Sequence, residues 1–173
     1  GDVIVTGSDG GVGIVFLDQT LLSIAENGKA VLDEVIYDSS EQAGSMALSL
    51  LQGVFSMVSG EIAKTDPDAL VLTTPVATIG IRGTQVSIDV GEGDKLQVLL
   101  MEESDGTIGE VIVANAEGIK VLNQPLQGVM VTSGGAAPSD VYTVDVETAL
   151  NTYGNALIGL PTSVGNANRY EAG

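Results

Sequence analysis

Histidine, cysteine and tryptophan are all absent from this chain of 173 residues, and aromatic residues make up only 3% of it. Without a thiol or an imidazole, the usual Ser–His and Cys–His pairings of nucleophile and base cannot be built, and no disulfide can form. Without tryptophan, the aromatic platforms that commonly floor a sugar cleft are missing too. Positive charge is scarce: 6 basic residues stand against 23 acidic ones, for a net charge of −17. Phosphate binding needs clustered Lys and Arg, so nucleic acid is excluded as a partner, and anionic membrane surfaces are disfavoured. Such a balance favours solubility, or divalent cations as counter-ions. No run of 18 or more apolar residues occurs, so no segment reads as membrane-inserting.

What the chain does have is aliphatic. Hydrophobic residues make up 44% of it, enough for a core of Val, Ile, Leu and Ala in one domain. Apolar runs of strand length recur between turn signals such as Ser8-Asp9-Gly10-Gly11, Asn27-Gly28, Ser104-Asp105-Gly106 and Glu117-Gly118. The runs include residues 3–5, 12–17, 20–24, 30–37, 45–51, 53–59, 70–73, 77–81, 85–90, 96–101, 108–114, 119–122 and 129–132. Val86, Ile88 and Val90 alternate cleanly with Ser87 and Asp89. Residues 41–51 fit a short helix or a strand. The pattern predicts an all-β fold of many short strands, a sandwich or a short β-solenoid. Ser133 to Ser139 reads as a linker. Beyond it, residues 140–173 form a C-terminal extension, with two helical turns expected over Val144 to Asn151 and an extended tail over 161–173.

The most informative stretch is Thr74-Pro75-Val76-Ala77-Thr78-Ile79-Gly80-Ile81-Arg82-Gly83-Thr84. Glycine inside a strand marks a bulge or a close backbone approach. Arg82, the first of two arginines, sits between apolar neighbours, where a guanidinium needs a carboxylate or several carbonyls. Thr74, Pro75, Ala77, Thr78, Gly80, Arg82, Gly83 and Thr84 resemble the signature of the FecR domain family. Gly1 to Gly7, Asp18 before Thr20, Gly109 to Val113 and Gly118 to Val131 resemble its other elements. The resemblance spans residues 1–132 and tips residues 41–51 towards strand. It implies an all-β, non-catalytic module. Arg82 could anchor a ligand carboxylate, and the favoured reading makes it a structural pin inside the motif. Founding members are periplasmic regulators of sigma factors, and others belong to exported or surface proteins.

Other chemistry is thinly supported. Lys29, Lys64, Lys95 and Lys120 leave a Ser–Lys site formally open, but no motif places a serine beside them. Asp33/Glu34 and Glu102/Glu103 are adjacent in sequence, and strand neighbours point to opposite faces, so neither pair forms a glycosidase site. Calcium is the one cofactor the acidic turns suggest, through Asp66 and Asp68, Glu92 and Asp94, or Glu102, Glu103 and Asp105. None of these has EF-hand spacing. The glycines from Gly7 to Gly13 match no phosphate loop.

Two features point to assembly. The resemblance begins at the Gly1-Asp2 element, so the domain is expected to lack its opening strand and to expose a sheet edge. The extension carries Val141, Val144, Val146, Leu150, Leu157, Ile158, Leu160 and Val164, which need an apolar partner. They refill their own domain or complete a neighbour's by strand exchange. The leading expectation is a non-enzymatic module of an exported bacterial protein, extracellular or on the cell surface, assembling with copies of itself into a filament. The alternative is a periplasmic signalling domain relaying receptor state to a sigma-factor regulator. A third reading is part of a calcium-dependent adhesin.

Overall fold

In the computed structural model, residues 1–161 are described. The elements follow in the order β1 (Asp2–Val5), β2 (Val12–Val15), β3 (Leu21–Ile24), β4 (Lys29–Asp38), β5 (Ala43–Val58), α1 (Glu61–Thr65), β6 (Leu70–Thr73), β7 (Thr78–Arg82), β8 (Gln85–Val90), β9 (Leu96–Met101), β10 (Glu110–Asn115), β11 (Gly118–Leu122), β12 (Gln127–Val131), β13 (Tyr142–Thr143) and α2 (Val146–Ile158). The strands curl into two facing layers joined through β5. Sheet A runs β1-β4-β5-β6-β7-β10-β11, and sheet B runs β2-β3-β5-β8-β9-β12-β13. The fold is therefore the all-β arrangement with a short C-terminal helix that the sequence predicts, in its sandwich form.

β5 is 16 residues long and belongs to both sheets. Its first half pairs with β4 and β6, its second half with β3 and β8. Runs 45–51 and 53–59, separate in the sequence reading, are thus one strand, and residues 41–51 are strand rather than helix from Ala43 onward. The handover falls at Gly53, whose φ of 108° is one only glycine adopts readily, and a Cβ there would stand 2.7 Å from the Gly28 Cα. β7 crosses to β8 in the same way at Gly83, φ 63°. Among the described residues, β5 and β6 form the only parallel pair, and the crossover that parallel strands require runs through α1 and a 3-10 turn at Pro67–Ala69. Ile62 and Ala63 of α1 are buried and close that end of the sandwich.

The core lies between the layers. Leu48, Leu50, Leu72, Ile79, Ile81, Val111 and Val113 meet Ile24, Phe55, Met57, Val86, Ile88, Val98 and Val129, all buried. Each such side chain contributes about 1.5–3 kcal/mol by leaving water, which lets an interior with so few aromatics hold the fold.

The extension packs back on its own domain. Residues 133–139 hug it rather than spanning free space: Ser139 N donates to Met130 O (2.8 Å), Met130 N to Ser139 Oγ (3.0 Å), and Asn115 Nδ2 to Ala136 O (2.8 Å). β13 then adds to β12, and Asp145 caps α2 by accepting from Thr148 N at 2.8 Å. The helix starts two residues later than expected and runs on to Ile158, because Ala149, Tyr153, Ala156 and Leu157 share one buried stripe. Val164 and most of the expected tail lie outside the described residues.

Candidate functional site

The signature strand is built around turns that fix both its ends. Thr74 is buried; its Oγ1 accepts from Val76 N and Ala77 N and donates to Ala77 O, which shapes the β6–β7 turn around Pro75. Thr84, also buried, donates from Oγ1 to Met101 O at 2.9 Å and pins the crossover into sheet B. Ala77 enters the core, while Thr78 points outward and donates to Ala114 O at 3.4 Å. Arg82 also points outward. Its side chain is 46% exposed, with Nη2 3.7 Å from Asp68 Oδ1 and Nη1 3.7 Å from Glu110 Oε1. Ile81 and Gly83, which made its surroundings look apolar in sequence, do not surround it in space, because Ile81 faces the core.

A second pinned element is the Asp18–Thr20 turn. Asp18 is buried; Oδ1 accepts from Thr20 N, and Oδ2 accepts from Thr20 Oγ1 and from Ile62 N. It ties the β2–β3 turn to the start of α1. Three donors satisfy the carboxylate, which suits a structural role.

The two outer faces differ. On sheet B, Ser23, Ser56 and Ser87 stand in register across β3, β5 and β8, and all three are buried. Ser56 and Ser87 hydroxyls lie 3.3 Å apart, and Ser87 Oγ donates to Met101 Sδ at 3.3 Å. α2 covers this row: Ala149, Tyr153 and Leu157 cluster with Leu21, Val58, Leu99 and Leu160. Burial raises the Tyr153 phenol well above its ordinary range and raises the Asp89 carboxyl beside it. The serine row was legible as a lone serine flanked by apolar residues in three strands, at Leu22-Ser23-Ile24, Phe55-Ser56-Met57 and Val86-Ser87-Ile88, but nothing in that pattern says that the face is covered.

On sheet A an equivalent row crosses every strand: Val3, Val31, Ser49, Thr73, Thr78, Ala114 and Ile119. Beside it run Ala47, Val71, Gly80, Ile112 and Val121. No described element covers them, and Val3 (57%), Ile119 (63%) and Val121 (40%) are exposed. Asp33 and Glu34 both border the face along β4, accepting from Ser49 Oγ and Ser45 Oγ. A register shift between Leu32 and Glu34 breaks the alternation there, so the two do not point to opposite faces as expected. The Arg82–Glu110–Asp68 group borders the face elsewhere.

The other sequence candidates scatter. Asp66 caps the turn at Pro67–Ala69, and Asp68 reaches Arg82. Glu92 and Asp94 sit in an exposed 3-10 turn, and Asp105 accepts from Thr107 N beside Glu102 and Glu103. Among the described residues, no three carboxylates converge to hold a metal ion. Within the extension, Val144, Leu157 and Leu160 pack on sheet B, whereas Val141, Val146, Leu150 and Ile158 are exposed. No helix of the described residues is long and apolar enough to cross a membrane.

Comparison with known proteins agrees with the all-β fold. Two crystal structures of a "putative anti-sigma factor" from Parabacteroides distasonis ATCC 8503, at 1.65 and 2.50 Å, share the fold with TM-scores of 0.64 and 0.65 at 11% and 12% identity. They cover 86% and 87% of this chain, which spans 62% and 64% of theirs. No curated protein matches in sequence. The profile of the FecR protein family matches residues 2–104, and the chain belongs to that family.

Proposed function

We propose that this chain is a non-catalytic interaction domain of a bacterial envelope protein, on the periplasmic side, that relays the state of a receptor to a sigma-factor regulator. The observation that carries the reading is the outer face of sheet A, which no described element covers and which contains the signature strand β7 between β6 and β10. A face that broad and that poor in charge marks a protein contact rather than a solvated surface. Family membership and the fold shared with an anti-sigma factor support the signalling role. The absence of His and Cys supports the non-catalytic one.

The test is a reporter of the sigma factor in the host bacterium. Val71→Glu with Thr78→Arg, both on the bare face, is expected to abolish the response to the receptor's stimulus at unchanged protein level and melting temperature. A response that persists sinks the reading. Self-assembly by strand exchange is the second reading, favoured by one observation. β1 pairs with β4 only over Lys29 to Leu32, so β4 from Asp33 to Asp38 has a free edge carrying exposed Val35 and Ile36. Light scattering distinguishes the two: the first predicts a monomer at high concentration, the second multimers.

A further inference from the structure

Gly80 lies inside β7, and its own molecule gives no reason for a glycine there. Its φ is not positive, and a Cβ built on it meets no atom of the described residues within 4 Å. A strand-interior glycine costs about 0.5–1 kcal/mol relative to alanine, so the residue weakens the strand for no gain within the chain. Its register neighbours are Val71 on β6 and Ile112 on β10. The missing side chain therefore leaves a notch between two apolar ones on an open face.

Sheet B shows what such a face accepts. Its row of small serines lets α2 lie close, with Ala149 and Tyr153 buried in the contact. Sheet A repeats the arrangement. Ser49, Thr73, Thr78 and Ala114 form a floor of small residues on β5, β6, β7 and β10, deepened by Ala47 and Gly80. Larger side chains flank it, Val3 and Val31 on one side, Ile119 and Val121 on the other. Four strands about 4.8 Å apart make a floor roughly 15 Å wide, enough for a helix about 10–12 Å across. At one end, Thr78 and Ala114 open onto a hollow of about 400 Å³ beside Thr74 and Asn115.

Charge selects among helices. Asp33, Glu34, Asp68 and Glu110 border the floor against Arg82 and Lys29, so acidic flanks are repelled and basic ones attracted. A second copy of the chain, itself at −17, is a poor fit. The chain's own helix is engaged on the opposite sheet, where Pro161 leaves α2 beside Gly13 of β2.

We infer that the outer face of sheet A receives an amphipathic helix of a partner protein, with small residues over Gly80 and Lys or Arg along its flanks. This rests on the interaction reading above and names the partner's chemistry. To test it, peptides of about 16 residues, roughly four helical turns, are selected from a random display library against the whole chain. Binding is then read by fluorescence anisotropy, amide chemical shifts and circular dichroism. The expected binders are basic, become helical on binding, and shift the amides of Thr73, Thr78, Gly80 and Ile112. Gly80→Val is expected to weaken them on the order of tenfold or more, about 1.4 kcal/mol, without lowering the melting temperature. Binders that reach these residues in extended or acidic form overturn the helix and leave the docking face standing. Binders that settle elsewhere, binding unchanged in Gly80→Val, or a selection without binders overturn the docking face itself.

Discussion

The outer face of sheet B carries Ser23, Ser56 and Ser87 beneath α2, and the outer face of sheet A carries Ser49, Thr73, Thr78 and Ala114 beneath no described element. Both rows pass through the single strand β5. Each has small side chains outside and branched aliphatics inside, so alternation alone gives them the same reading. What separates them is the rest of the chain. α2 brings Ala149, Tyr153, Ala156 and Leu157 to one face and not to the other. A period-2 pattern thus identifies which residues leave the core without telling whether they meet water, a helix of the same chain or another molecule. In this family member the covered face belongs to stability, and the uncovered one is the face we propose for recognition.

Four substitutions sharpen that division. The largest effect is expected from Tyr153→Ala, which removes the buried ring holding α2 on sheet B. It should cost about 3–5 kcal/mol in urea unfolding, while Ile119→Ala on the bare face stays within about 0.5 kcal/mol. Comparable losses at the two positions would erase the distinction. The next effect is at the cap of α2. The side chain and backbone N–H of Thr148 hold the Asp145 carboxyl below its ordinary value. A carboxyl lowered on folding stabilises above its unfolded pKa, and that contribution fades as pH falls through the lowered folded value. Asp145→Ala should therefore melt earlier than the native chain near neutrality, and the gap should close on acidification below the ordinary carboxylate range. A gap that is constant with pH would assign the difference to helix propensity. The smallest effect is expected on sheet A. Arg82 is half-exposed and its ion pairs are long, so Arg82→Ala should cost below about 1 kcal/mol, less still in about 1 M salt. A larger, salt-independent loss would show that the guanidinium braces the fold.

Much of this was legible in the residues. The turn dipeptides and aliphatic runs gave the all-β class, and the Thr74–Thr84 signature gave the family. Asp18 before Thr20 was visible as an element of that signature, though only the fold shows its carboxylate reaching Ile62 N, 44 residues on. Arg82 reaches carboxylates, as its sequence context predicts, but from the half-exposed outer face rather than from apolar surroundings, because neighbours along a strand lie on opposite faces. A strand-interior glycine predicts a bulge or a close backbone approach, but at Gly80 the register is unbroken and no described atom stands within 4 Å of the Cβ position. α2 was foreseen as two turns, since Asn151, Thr152 and Gly154 are weak helix formers. Packing of its stripe on sheet B extends it, as tertiary contact commonly does for helices of marginal propensity.

The sequence by itself determined what this protein is made of and what it lacks: an aliphatic β core, a strongly acidic surface, no thiol or imidazole, and a FecR signature. Those properties are local, carried by residue type and short-range spacing. The folded chain adds that one strand serves two sheets, that the extension covers sheet B, and that Gly80 faces no described neighbour. Each of these depends on which distant segments meet, and period and composition do not encode which side of a strand is left without a neighbour.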